Sequence, residues 1–143
     1  MTRWRVANEE TVSMAKIVSQ SVLVKAAPGL VYRTLLESKR HAAFTGAPAT
    51  LSRKVGGTFT CYDGYITGRN LELVPAKRIV QAWRAKGWPA GVYSVASFVL
   101  SGRAGGKTRI TFTHVGVPPR SFKGINEGWR TYYWRPLKAY LET

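Results

Sequence analysis

The sequence is poor in cysteine and in residues that bind metals. Its one cysteine, Cys61, cannot close an intramolecular disulfide and belongs to no cluster with the spacing of metal ligands. The two histidines, His41 and His114, also lack a companion at such a spacing. We therefore expect no metal ion and no cofactor, and a fold that is stabilised by the packing of its apolar residues.

Long hydrophobic runs are absent as well. No apolar stretch approaches the roughly 20 residues that a membrane-spanning helix needs. Glu9, Glu10, Lys16 and Gln20 interrupt the first 27 residues, which excludes the apolar core of a signal peptide there. We predict a cytoplasmic protein.

Acidic residues are scarce, since seven carboxylates oppose 22 lysines and arginines and leave a formal net charge of +15. Nine of the basic residues lie between Leu73 and Asn126, where no carboxylate occurs. Such a stretch produces a positive field that attracts nucleic acid, anionic lipid or an acidic protein surface. The plainer alternative, which we favour, is a solvated surface that keeps the chain in solution. No basic helix and no aromatic platform is visible, so we expect no specific nucleic-acid binding.

Glycine and proline divide the sequence into short elements. Residues 1–15 are predicted to form a loose N-terminal arm, and residues 16–143 a single domain. Alternating, β-rich residues from Lys16 to Lys25 predict a first strand. Later strands are predicted at 50–55, 58–63, 65–74, 77–84, 92–102 and 107–115. The short connections between these strands favour antiparallel neighbours.

Two short helices are predicted between the first two strands. Pro28 is well placed to open a helix that runs to about Glu37. Ser38 is predicted to cap a second helix over 39–44, which closes at a turn that contains Gly46.

A long terminal helix is predicted from Phe122 onward, where apolar residues recur at spacings of three and four. Pro136 lies inside it, so we expect a kink or a break near Tyr132. The complete order is one strand, two helices, a run of strands and one long helix. It predicts an α+β fold in which a curved antiparallel sheet grips the terminal helix, because their apolar faces must bury one another.

Several short motifs occur together in a combination that resembles a known protein family. They are Val55-Gly56-Gly57, Asp63-Gly64-Tyr65-Ile66, Asn70-Leu71-Glu72-Leu73-Val74-Pro75, Trp83-Arg84, Gly106-Lys107-Thr108, Thr113-His114, Gly128-Trp129 and Tyr132-Tyr133-Trp134. In this combination, from about Lys16 to Glu142, the chain resembles the family of homologues of the activator of the heat-shock protein ninety ATPase, in its bacterial single-domain form. That family belongs to the START-like superfamily.

The resemblance implies the helix-grip architecture with a cavity between the sheet and the terminal helix. Members of the superfamily range from lipid and hormone carriers to cyclases, and a fold does not fix a function. In the eukaryotic activator, a second, amino-terminal domain binds the chaperone. In this sequence about 15 residues precede the predicted first strand.

Aromatic residues supply the main functional clue, because they fall on strand and helix faces that are predicted to point inward. Aromatic side chains around a cavity bind apolar molecules, although plain core packing is the alternative for each of them. The predicted ligand-binding residues are Phe59, Cys61, Trp83, Phe98, Phe112, Trp129 and Tyr133. As a further hypothesis, the loop near Pro89, with Arg84, Lys86 and Trp88, holds an anionic head group at the rim.

Few residues are candidates for catalysis, and we assign no catalytic residue. Asp63 and His114 are the residues that an acid or base mechanism would use if both faced the cavity. We favour a turn role for Asp63, because Asp-Gly is a hairpin signal, and a hydrogen-bonded strand-end role for His114. Cys61 is expected to be an inert core thiol, since no neighbour in the sequence would lower its pKa.

Three functions follow in order of preference. The first is the non-catalytic binding of a hydrophobic small molecule or lipid in the cavity. The second is a chaperone-linked interaction module that grips a chaperone or another acidic protein. The third is a cofactor-free enzyme that uses Asp63 or His114. An open sheet edge and the tryptophan-rich helix are each able to support a dimer, so the sequence does not decide the oligomeric state.

Overall fold

The computed structural model describes residues 16–142 and confirms the predicted α+β fold. Its strands are β1 (Val18–Val24), β2 (Thr50–Leu51), β3 (Thr58–Cys61), β4 (Ile66–Val74), β5 (Arg78–Ala85), β6 (Ser94–Arg103) and β7 (Lys107–Val115). They form one seven-stranded sheet in the order β1-β7-β6-β5-β4-β3-β2, and every neighbouring pair is antiparallel. The predicted N-terminal arm, residues 1–15, lies outside the described residues, as does Thr143.

Strand β2 is shorter than the 50–55 predicted for it. Its pairing ends at Leu51 because the chain turns at Gly56, whose φ is 83°. The backbone of Asn70 holds this turn in place: its carbonyl accepts from the N–H of Gly56, and its N–H donates to the carbonyl of Gly57. The turn therefore belongs to the sheet edge even though it is not a strand.

The two helices after β1 are α1 (Pro28–Leu36) and α2 (Ser38–Thr45). Ser38 does not cap α2, as the sequence had suggested, but is its first residue. Its hydroxyl accepts a hydrogen bond from the backbone N–H of Leu51 at 2.8 Å. The serine thus ties α2 to β2.

The C-terminal segment is helical from Pro119 to Leu141 and changes its type along the way. A 3₁₀ turn (Pro119–Ser121) leads into α3 (Phe122–Gly128), a π-helical segment (Trp129–Trp134) and α4 (Arg135–Leu141). The expected kink is replaced by the π-helical segment, in which the N–H of Arg135 donates to the carbonyl of Arg130 five residues earlier.

Pro136 accounts for the position of the π-helical segment. Proline has no N–H to offer to the carbonyl of Tyr132, four residues before it. That carbonyl instead accepts a hydrogen bond of 2.7 Å from the hydroxyl of Tyr62. A side chain of the β3–β4 turn thus bonds the carbonyl to which Pro136 cannot donate.

The sheet has one apolar and one solvent-facing side. In β5, Ile79 and Trp83 are buried on the concave side, while Arg84 points outward. The same alternation runs through β6 and β7, so the helical segment covers one face only. The concave side and the helices that cover it form the hydrophobic core. Each large apolar side chain buried there stabilises the fold by about 1.5–3 kcal/mol.

Gly68 in β4 marks a close approach inside this sheet. A β-carbon at this position would meet the carbonyl oxygen of Ala82 and the ring of Phe59. Phe59 is buried and packs over the glycine. The absent side chain therefore makes room for an aromatic ring that also faces the interior.

We predict that Gly68→Ala lowers the free energy of unfolding by about 2 kcal/mol or more, because β4 must move away from β5. Gly124→Ala is the matched control: a β-carbon there meets no atom within 4 Å, and alanine favours a helix over glycine by up to about 1 kcal/mol. Urea unfolding of both variants measures the difference. Equal stability of the two variants would contradict the close approach.

Candidate functional site

A cavity of about 580 Å³ lies between the concave side of the sheet and the C-terminal helices. Its walls are mainly aromatic and aliphatic, and they contain no aspartate or glutamate. The lining residues are Leu35, His41, Leu51, Phe59, Cys61, Tyr62, Tyr65, Ile66, Ile79, Gln81, Trp83, Trp88, Phe98, Arg120, Ser121, Gly124, Ile125, Gly128, Trp129, Tyr132 and Tyr133. The cavity is therefore a space for apolar matter with a few polar groups in its wall.

Most of the predicted ligand-binding residues line this cavity. They are Phe59, Cys61, Trp83, Phe98, Trp129 and Tyr133. Phe112 is the exception, because it lies outside the lining with its ring 4.3 Å from that of Trp129 and 5.2 Å from that of Trp134. Alternation correctly placed Phe112 on the concave side, but that side is partly covered by the tryptophans.

His114 fastens the C-terminal helical segment to the sheet. The indole N–H of Trp129 donates to its Nδ1 at 3.0 Å, which requires the ring proton to sit on Nε2. Nε2 then donates to the hydroxyl of Ser94 at 2.7 Å, and this hydroxyl donates to the carbonyl of Trp83 at 2.8 Å. Both ring nitrogens of His114 are thus occupied, and burial lowers its pKa to about 3.

Asp63, the other candidate for acid or base chemistry, lies in the β3–β4 turn. It is exposed, adopts a φ of 55°, and donates its backbone N–H to the carbonyl of Pro48. Neither Asp63 nor His114 is among the described residues that line the cavity. The structure does not bring these two side chains together at that site.

His41, Cys61 and Tyr133 form a buried polar group in the cavity wall. The Nε2 of His41 lies 3.0 Å from the hydroxyl oxygen of Tyr133 and 3.7 Å from the sulfur of Cys61. Burial lowers the pKa of His41 to about 4 and raises that of Cys61 to about 12. Burial also raises the pKa of Tyr133 above its usual range. All three side chains are therefore neutral near pH 7.

Tyr62 and Tyr132 connect two sides of the cavity. The hydrogen bond from the Tyr62 hydroxyl to the Tyr132 carbonyl joins the β3–β4 turn to the π-helical segment. Tyr62 has a φ of 51°, in the left-handed region that non-glycine residues rarely adopt. This backbone conformation is what directs the tyrosine toward the helix.

Arg84, which the sequence had suggested for the rim, is not among the residues that line the cavity. Its guanidinium donates to the carbonyls of Pro89 and Trp88, at 3.0 and 2.8 Å, and so holds the β5–β6 loop. Trp88 does line the cavity, and its ring lies 5.6 Å from that of Trp83. The charged lining residue is Arg120, which is exposed and has no described hydrogen bond or ion pair.

Sequence reasoning missed several lining residues with polar side chains, which are His41, Tyr62, Tyr65, Gln81, Arg120, Ser121 and Tyr132. Gln81 occupies an inward position of β5 beside Trp83, so strand alternation alone would have found it. His41 and Arg120 lie on helical turns with no pattern that points to a cavity. Their positions depend on how the helices pack on the sheet.

Residues 16–142 contain neither a metal-binding cluster nor a membrane-spanning helix. No group of three or more histidine, cysteine, aspartate or glutamate side chains within that range is arranged to hold a metal ion. In the same part of the chain, no helix has the length and apolar character needed to cross a membrane.

Comparison with known proteins gives a consistent result. The family model described as "Activator of Hsp90 ATPase homolog 1-like protein" matches residues 25–142. The human "Activator of 90 kDa heat shock protein ATPase homolog 1" is 34% identical over 111 residues, which cover 78% of this chain and 32% of that protein. The chain thus spans about a third of the length of the curated relatives it matches.

Solved structures show the same fold at low sequence identity. The crystal structure of an HSP90 activator from Plasmodium falciparum has a TM-score of 0.82 at 19% identity, with coverage of 88% of this chain and 96% of that one. The solution structure of the Aha1 dimer from Colwellia psychrerythraea has a TM-score of 0.77, also at 19% identity, with coverage of 89% and 96%.

We predict that acid destabilises the protein through its buried histidines. Their folded pKa values, about 3 for His114 and about 4 for His41, lie below the value of about 6.5 in the unfolded chain, so the unfolded state binds protons first as pH falls. Stability is then fully present above about pH 6.5 and is lost toward pH 4, by about 2 kcal/mol per histidine between pH 6.5 and 5.

Urea unfolding at pH 7 and pH 5 measures this loss. His114→Gln is expected to be less stable than the wild type at pH 7 but to lose less stability on acidification, because one of the two titrating rings is gone. The same pH dependence in both proteins would contradict the assignment.

Proposed function

This chain belongs to the family of Activator of Hsp90 ATPase homolog 1-like proteins, and on that premise we propose that it is a non-catalytic binding domain for a hydrophobic small molecule or lipid. The molecule is held in the cavity between the sheet and the C-terminal helices. The family membership confirms the resemblance recognised in the sequence.

The observation that carries the proposal is the cavity. Protein interiors are normally close-packed, and an unfilled apolar space reduces stability. A volume of about 580 Å³ falls within the range of about 300–1,000 Å³ that is typical of small-molecule sites. Walls of aromatic and aliphatic side chains without a carboxylate suit an apolar molecule best.

The surroundings of the candidate catalytic groups support a non-catalytic role. Both nitrogens of His114 are engaged in hydrogen bonds that hold the helix to the sheet. The thiol of Cys61, with a pKa of about 12, is protonated at neutral pH and is a poor nucleophile. Asp63 is an exposed turn residue.

We predict that the wild-type protein binds N-phenylnaphthylamine, a neutral apolar dye whose fluorescence rises in an apolar site. Gly124 lines the cavity, and a β-carbon there meets open space, so Gly124→Trp is expected to fill part of the cavity and weaken dye binding by about tenfold or more. Lys123→Trp adds the same side chain at an exposed neighbouring position and is the control.

Comparison of the two variants tests whether the dye binds in the cavity. Weakened binding in Gly124→Trp alone supports the cavity as the site, whereas equal binding in both variants or no binding to the wild type contradicts it. Native mass spectrometry of the purified protein, followed by denaturation, identifies any molecule that co-purifies.

A second function is favoured by the curated relatives, which are named as activators of the 90 kDa heat shock protein ATPase. We propose that the chain also contacts an Hsp90-type chaperone. The outward face of the sheet is suited to an acidic partner: its strand cations are Arg69, Arg78, Arg84, Arg103, Lys107 and Arg109. Glu72 is the only carboxylate within the described strands, and Arg78 pairs with it at 3.4 Å.

We predict that the protein raises the ATP hydrolysis rate of an Hsp90-type chaperone from the same cell, and that added salt weakens the effect by screening the charges. Arg69→Glu with Arg109→Glu reverses two charges on the outward face and is expected to weaken binding by about tenfold or more. Arg33→Glu with Lys138→Glu makes the same change at exposed positions on α1 and α4.

Equal losses in the two double variants would show that net charge alone acts, and would contradict the outward face as the contact surface. Light scattering on the same samples reports whether the chain forms a dimer, as Aha1 from Colwellia psychrerythraea does in its solution structure.

A further inference from the structure

We infer that the cavity selects apolar molecules that carry a neutral oxygen able to accept a hydrogen bond, such as a ketone, ester or amide carbonyl, and that the Tyr133 hydroxyl binds this oxygen. The inference rests on the proposed ligand-binding function and adds the chemical class of the ligand. Three observations carry it: the partners of Tyr133, the unpaired nitrogen of His41, and the charges of the cavity wall.

Tyr133 is a buried residue of the cavity wall whose hydroxyl has one described partner. That partner is the Nε2 of His41, at 3.0 Å. A phenol has one proton to donate and two lone pairs to accept with. Which capacity is left for a ligand depends on which of the two groups, Tyr133 or His41, supplies the proton between them.

The environment of His41 decides the direction of this hydrogen bond. Its Nδ1 is buried and has no hydrogen-bond partner among the described residues, while the side chain as a whole is 1% exposed. A buried N–H without an acceptor is rarer in proteins than an acceptor left with a free lone pair. The proton therefore belongs on Nε2, which donates to the oxygen of Tyr133, and the bare lone pair is on Nδ1.

This assignment leaves the O–H of Tyr133 free to donate. The hydroxyl of Tyr62, another lining residue, already donates to the Tyr132 carbonyl, and Tyr65 and Tyr132 are exposed. Tyr133 is thus the buried tyrosine of the cavity wall whose hydroxyl is free to donate a hydrogen bond. Leaving a buried polar group unpaired is unfavourable, so a ligand oxygen that accepts this proton stabilises the bound state.

The charges of the wall favour a neutral oxygen over a carboxylate. His41 and Cys61, which lie beside the Tyr133 hydroxyl, are neutral at pH 7. The cation of the described lining is Arg120, which is exposed and follows β7 on the 3₁₀ turn. A carboxylate at Tyr133 would be desolvated without a counter-ion, whereas a carbonyl needs only the one donor.

Two neutral dyes test the inference. Prodan is a naphthalene ketone whose emission moves to longer wavelength when its carbonyl accepts a hydrogen bond, and N-phenylnaphthylamine has no oxygen. Prodan bound to the wild type is expected to emit at longer wavelength than in an alkane. Tyr133→Phe is expected to weaken prodan binding by about tenfold more than it changes N-phenylnaphthylamine binding, and to shift prodan emission to shorter wavelength.

Each outcome bears on the inference. If Tyr133→Phe leaves prodan affinity and emission unchanged, or if wild-type-bound prodan emits as it does in an alkane, the inference is overturned while the cavity remains a binding site for the second dye. If neither dye binds the wild type, the proposed function fails and the inference with it. If Tyr133→Phe does not fold, the emission of prodan bound to the wild type decides alone.

Discussion

The hydrogen bond from the Trp129 indole to His114 fixes how the C-terminal helical segment lies on the sheet. Because His114 also bonds Ser94, and Ser94 bonds the Trp83 carbonyl, one chain of hydrogen bonds crosses from the helix through three adjacent strands. With Trp129 held there, the π-helical segment buries Tyr133 and Trp134 beside it. Tyr133 lines the cavity, and Trp134 packs against Phe112 in the adjoining core. The cavity and the adjoining core therefore depend on the same anchoring point.

The contrast between these two regions bears on function. On the Trp134 side, Phe112 and Leu137 are fully buried, and the rings of Phe112 and Trp134 lie 5.2 Å apart. On the Tyr133 side, the wall has aromatic rings and a neutral polar group, but the volume between them is open. Apolar packing alone would favour a chain that closes such a space. Its retention supports the proposal that a molecule binds there.

The two sides of the sheet suit different partners. The concave side faces the cavity and contains no carboxylate among the lining residues, and the outward side presents arginine and lysine to solvent. The apolar ligand and the acidic protein surface that we propose would therefore not compete for the same residues. Because the chain spans about a third of its curated relatives, their activation of a chaperone ATPase is a proposal for this domain.

The sequence by itself determined the order of elements, the antiparallel sheet, the family and most of the aromatic wall, because strand alternation, helical spacing and glycine turns act over a few neighbouring residues. It also located the irregularity near Tyr132 from Pro136. Only the tertiary structure decided that Tyr62 would complete that helix, that Arg84 would hold a loop, and that Phe112 would be covered by tryptophans. It alone brought His41 to Tyr133, 92 residues away in the sequence. A local pattern specifies the face on which a side chain lies. Its partner across the core depends on the relative positions of the helices and strands once their side chains are packed together.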